Sequence, residues 1–188
     1  FLNIGINYKK WTEGCGMSGI LFLYCITISS FAEPPFQILR ICMDNEPFEK
    51  SGTITELDGD GYAKKSLEGC EDQYDRTIDG HLYGTLFCKD KFYMIIRDKK
   101  MDPEKAVNHS MNPEINPGVA FTTRSLWYKI NFDKQDYLCI YAPLAEQGVG
   151  ASHNQYYIIE NAFDVTLDPK IYYYFLDKNI TPITSSTL

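Results

Sequence analysis

The 188 residues carry 25 acidic against 18 basic side chains, a net charge of −7, with 44% hydrophobic and 14% aromatic residues. That balance argues against general binding to nucleic acid or to anionic membranes, which needs clustered Lys and Arg to displace counterions. The length suits one domain with a real core, and the apolar runs are too short to cross a bilayer.

Residues 1–16 precede the first plausible initiator, Met17, and read either as upstream leader or as an n-region charged by Lys9 and Lys10; the leader reading is preferred. Residues 17–32 read as a signal peptide, with an apolar run from Ile20 to Ile28 and the small-residue cleavage site Ser30-Phe31-Ala32. The mature chain is therefore expected to start at Glu33, to be secreted and to have no membrane attachment. Residues 33–180 would form a single domain and 181–188 a flexible tail. Without Lys9, Lys10 and Glu13 the chain has 16 basic and 24 acidic residues, a net charge of −8.

Cys15 and Cys25 fall in the removed region, leaving Cys42, Cys70, Cys88 and Cys139. An even number suits a disulfide-stapled secreted domain; four cysteines allow three pairings, and a local Cys70–Cys88 loop with a long-range Cys42–Cys139 staple is preferred. With no C-x-x-C pair, a metal site is not expected, and no cofactor is implied. Asn108-His109-Ser110 and Asn179-Ile180-Thr181 are N-glycosylation sequons, which fits export.

Apolar and aromatic runs predict strands at 38–43, 53–57, 82–88, 92–97, 119–121, 126–132, 137–142, 156–161 and 171–176. Polar breaks such as 133–136 read as hairpin turns. Short helices are expected over 102–107, where Asp102 would cap and Pro103 open the first turn, and over 62–67. The fold class is α+β, a mainly antiparallel sheet with one or two short helices, stapled by disulfides. Tyr156, Tyr157 and Tyr172 to Tyr174 are candidate anchors for a partner, although alternation would bury at least half of them.

The acidic turn Glu56-Leu57-Asp58-Gly59-Asp60-Gly61 imitates a calcium loop, but Leu67 stands where the twelfth position wants Glu. The basic stretch Lys89, Lys91, Arg97, Lys99, Lys100 and Lys105 is interleaved with Asp90, Asp98, Asp102 and Glu104 and reads as a mixed-charge surface. Three histidines, His81, His109 and His153, sit beside loop formers. His81 and His153 as acid and base, Glu114 as carboxylate, and Arg124 (or Arg97) on a phosphate would make a phosphodiester-cleaving set. No G-x-S-x-G elbow or P-loop lysine is present.

The segments 87–93, Phe-Cys-Lys-Asp-Lys-Phe-Tyr, then 126–132 and 137–142, are similar to secreted effector candidates of plant-pathogenic fungi with a ribonuclease-like fold. The resemblance covers about 83–142 and is one of pattern. Catalytic fungal ribonucleases of that fold carry Tyr-x-His on a strand; this chain has the reversed His81-Leu82-Tyr83. The resemblance therefore implies a scaffold without catalysis that binds a host protein or RNA, and the acidic charge favours protein. The chain is expected to be monomeric. The alternatives are a lipocalin-type binder of small ligands and an active secreted ribonuclease.

Overall fold

A computed structural model describes residues 33–48, 52–67, 69–120 and 124–180. The leader, the signal peptide and the tail at 181–188 lie outside the described residues. One α-helix, α1 (Phe36–Asp44), precedes eleven strands: β1 (Thr53–Glu56), β2 (Gly61–Tyr62), β3 (Cys70–Ile78), β4 (His81–Cys88), β5 (Lys91–Ile96), β6 (Lys99–Met101), β7 (Val107–Asn108), β8 (Leu126–Phe132), β9 (Gln135–Pro143), β10 (Asn154–Glu160) and β11 (Lys170–Phe175). Six of them form one sheet in the order β1-β8-β9-β10-β11-β7, and the other five a second sheet, β2-β3-β4-β5-β6. Every pairing is antiparallel except β7 with β11. The fold is thus a mainly antiparallel sheet structure with one helix, 3-10 turns and two disulfides, as the composition predicts.

The chain passes between the sheets at two corners. After β1, the Leu57 amide still donates to Trp127 in the first sheet, while the Asp60 amide donates to Asp75 in the second. After β6, a 3-10 turn over Pro103–Lys105 leads into β7. The sheets pack face to face over Tyr83, Met94 and Ile96 from one and Trp127, Tyr157, Tyr173 and Phe175 from the other. Large rings fill this space, so the sandwich has no lipocalin-like interior.

The six-stranded sheet is the middle of three layers. Tyr128, Ile130, Cys139, Ile158, Tyr172 and Tyr174 point to its opposite face, where Ile38, Leu39, Ile41 and Cys42 of α1 cover them. A strand buried on both sides needs apolar side chains at consecutive positions, which is why β11 reads Ile-Tyr-Tyr-Tyr-Phe without alternation. The Cys42–Cys139 disulfide ties α1 to β9, and Cys70–Cys88 joins β3 to β4. These are the pairings preferred from the sequence.

Four hairpins close with two residues at positive φ: Asp79-Gly80, Lys89-Asp90, Arg97-Asp98 and Asp133-Lys134. This type I′ geometry matches the twist of the strands it joins. Only Asp79-Gly80 has the composition that geometry favours.

Several expectations are corrected. The segment 38–43 is helical rather than extended, because its buried residues at 38, 39, 41 and 42 share one helical face and Asn45 closes the helix in the left-handed region. The segment 62–67 is not helical: the Ala63 amide donates to Gln73, so the backbone after β2 continues pairing with β3. At 102–107 the helix is a single 3-10 turn, capped by the Asp102 carboxylate on the Glu104 amide, and the chain then joins β11 through β7. Val119 and Ala120 form no strand; residue 121 lies outside the described residues. Strand β3 was not foreseen.

Candidate functional site

The residues singled out from the sequence divide between the two ends of the sandwich. At one end, the β10–β11 connection (161–169) meets the hairpin turns after β3 and β5. His81 Nδ1 lies 2.8 Å from Asp98 Oδ2, and the Leu82 amide donates to Asp98 Oδ1. These two hydrogen bonds, led by that of His81, hold the Asp98 carboxyl below the usual aspartate range. Arg97 is only 7% exposed, and its guanidinium donates from Nη1 to the Asp164 carbonyl and from Nη2 to the Leu167 carbonyl, the latter at 2.6 Å. Tyr83, whose hydroxyl burial pushes up to about 12, donates to Ala162. Lys99 pairs with Asp168 at 2.9 Å.

The connection is therefore fixed from below by an arginine and a tyrosine. It is also ordered from within. The Asp164 carboxylate accepts from the Thr166 hydroxyl and amide, contacts that lower its pKa. Yet this braced segment leaves Val165 66% and Leu167 52% exposed. Arg97 has a φ of 49°, a left-handed conformation that a long side chain rarely adopts. Its two loop contacts are the compensating gain at that position.

At the other end, the β9–β10 connection (144–153) faces the chain that leaves β11. His153 Nδ1 lies 2.9 Å from Asp177 Oδ2. Arg124 reaches the same connection, its Nη1 donating to the Glu146 carbonyl. Glu114 is exposed, its amide donating to Asn112 Oδ1, and its neighbour Ile115 lines a recess of about 640 Å³ shared with His153 and Asp177. Of the four residues of the expected phosphodiester-cleaving set, only His153 lines this recess; Arg124 bonds to the connection through Glu146, Glu114 is the chain neighbour of a lining residue, and His81 lies at the other end. The length of β10 separates the ends, seven residues at about 3.3 Å each, or roughly 23 Å.

The adjacent Ser152 hydroxyl donates to the Val149 carbonyl within its own turn. His109 sits elsewhere, stacked on Tyr172 and Tyr174, with Glu33 3.4 Å from its Nδ1. Its sequon neighbour Asn108 is exposed on edge strand β7, as is Asn179 beyond β11. The candidate anchors Tyr156, Tyr157 and Tyr172 to Tyr174 are all buried. In the basic stretch, Lys91 is paired with Asp102 and Glu104.

Among the described residues no group of three His, Cys, Asp or Glu side chains is placed to hold a metal ion, and no helix is long and apolar enough to cross a membrane. The bracing role of Arg97 and the bare Val165 and Leu167 carry no sequence signal, since each depends on contacts across about 70 residues. Comparison with protein-family models, with curated proteins and with solved structures finds no match to this chain.

Proposed function

We propose that this is a secreted, non-enzymatic binding protein that docks on a partner protein through residues 161–168. The observation that carries the reading is the pair Val165 and Leu167, left bare on a connection that a buried arginine holds rigid. Rigid presentation lowers the entropy lost on binding, and binding residues are disproportionately carried on loops positioned by a rigid scaffold. Export is supported by the leader sequence and by two disulfides in the chain that follows it.

Charge selects the partner class. At a net −8 the chain repels a polyanion, so RNA is disfavoured and a basic protein surface is attracted. Asp136, Glu160 and Asp164 line a shallow groove beside Phe163, Val165 and Leu167; Lys134 shares it and Lys129 pairs with Asp136, so the net acidic charge is small and the groove suits a mainly apolar segment with a basic side chain. In the effector-like reading that segment belongs to a host protein. The ribonuclease reading loses support because its two histidines stand at opposite ends, and the lipocalin reading because aromatic side chains fill the sandwich.

The test is affinity capture from host extract with the exported protein, its Val165→Asp/Leu167→Asp variant and a Val149→Asp control at the opposite end. The expected result is a partner retained by the parent and the control but lost by the double variant. Equal capture by all three, or RNA cleavage abolished by His153→Ala, would overturn the proposal.

A further inference from the structure

The recess at the β9–β10 end is separate from the docking segment and has its own chemistry. Its floor is the open end of the inter-sheet core, where Ile115, Leu144 and Ile180 pack on the buried cluster. Its lip is Val149, 69% exposed on the 3-10 turn Val149–Ser152. At about 640 Å³ it lies within the range of roughly 300 to 1,000 Å³ that small-molecule sites occupy.

The lip is preformed. The Ala151 amide donates to Gly148 and the His153 amide to Gly150, while the Ser152 hydroxyl closes the turn on Val149. Gly148 holds a φ of 73°, and a Cβ on Gly150 would meet the Ala145 Cβ at 2.8 Å. Gly148 suits its left-handed backbone, and Gly150 lets the turn fold close to Ala145. Arg124 fixes the start of the same connection through Glu146.

The charge in this apolar recess is one-sided. Among the described residues no Lys or Arg lines it; its charged group is Asp177, with His153 beside it. Both carboxylate oxygens are held, Oδ2 near His153 Nδ1 and Oδ1 by the Asn179 amide at 2.8 Å, so the group keeps one orientation. Each oxygen retains a lone pair. Asp177 thus presents a carboxylate at the mouth of an apolar hollow.

We infer that this recess binds a small apolar amine, its ammonium on Asp177 and its hydrocarbon body against Ile115, Leu144, Val149 and Ile180. Such a ligand satisfies the carboxylate that a neutral or anionic molecule of the same size leaves unmatched. A protein segment is a poorer fit, because the hollow is concave and bounded by short connections.

The test uses the full chain at pH 8. Phenethylamine, 2-phenylethanol and 3-phenylpropanoate are titrated by calorimetry and followed by NMR. The expected result is one amine site perturbing Ile115, Leu144 and Ile180, with the alcohol at least about tenfold weaker and the carboxylate weaker still, since a charged hydrogen bond is lost. Asp177→Asn should weaken the amine by about tenfold and leave the alcohol unchanged, which also reports that the recess is intact. Val149→Trp, which fills the mouth from an exposed position, should weaken both. Equal affinity for amine and alcohol, undiminished amine binding by Asp177→Asn, or no shift at these residues would overturn the inference. None of these outcomes bears on residues 161–168.

Discussion

Replacing Arg97 by Asn isolates the brace under the docking segment. The guanidinium makes two hydrogen bonds to loop carbonyls, and bonds from a charged donor are worth about 1.5 to 3 kcal/mol each, so roughly 3 to 6 kcal/mol is lost. Two terms offset this. Arg97 Nε is buried without a hydrogen-bond partner, a cost of about 1 to 3 kcal/mol that the substitution removes. Asn also tolerates the left-handed backbone at φ 49° better than Arg, by about 1 kcal/mol. The net is about 2 kcal/mol, or roughly a thirtyfold shift in the opening equilibrium of the connection. Native-state hydrogen exchange reads this at the Thr166 and Leu167 amides, whose acceptors belong to Asp164. Both should exchange about thirtyfold faster in the variant, while the Ala151 and His153 amides at the far end keep their rates. Unchanged exchange at Thr166 and Leu167 would refute the brace, and equal acceleration at both ends would show that Arg97 supports the whole fold instead.

Other outcomes follow from the same contacts. Removing the Cys42–Cys139 bond, which closes 97 residues, should cost about 4.7 kcal/mol in the loop-entropy relation, against about 3.2 for the 18 residues of Cys70–Cys88. Urea unfolding of the two double-alanine variants would contradict this if the shorter loop proved the costlier. Gly84→Ala in β4 places a Cβ 2.0 Å from the Tyr74 carbonyl oxygen, backbone that has no easy retreat, and should destabilise by about 3 kcal/mol in thermal unfolding. Burial raises the pKa of Tyr83 to about 12, and those of Tyr157, Tyr173 and Tyr174 rise as well. Their protonated forms favour the folded state, so stability should be level below pH 10 and fall between about pH 10 and 12 as the unfolded tyrosines ionise. Absorbance at alkaline pH should then show these rings titrating together with unfolding; early, independent ionisation would speak against their burial.

The strands rich in Tyr, Ile and Phe were legible because a middle layer demands apolar side chains on both faces, and runs such as 171–176 have few other uses. The disulfides were legible from the even number of cysteines after residue 32, and the pairing that forms is the one preferred among three. Strand β3 was hidden, since its buried positions are Gln73 and Arg76 and Glu71, Asp72 and Asp75 interrupt any apolar run; Arg76 is accommodated by the Trp127 ring 4.5 Å away and by the Leu57 carbonyl, which accepts from its Nε. The run 38–43 misled because Ile-Leu-Arg-Ile-Cys-Met satisfies either period over six residues, and the decision came from the sheet face it covers. Little of the candidate site was legible. Of the expected set only His153 lines the recess, and Asp177, the partner that gives it its setting, lies 24 residues further on, with nothing local to announce it.

The nine residues of α1 are too few to hold a helix by themselves in water. Their place over the tyrosine-rich sheet depends on packing and on a single covalent tether to β9. A reductant that cut the tether would let this cover lift and lay bare a wide β surface of Tyr and Ile, the kind that adheres to its own copies. The molecule is in this sense matched to oxidising surroundings. In a thiol-rich compartment its failure would take the form of clumping before it took the form of a lost contact.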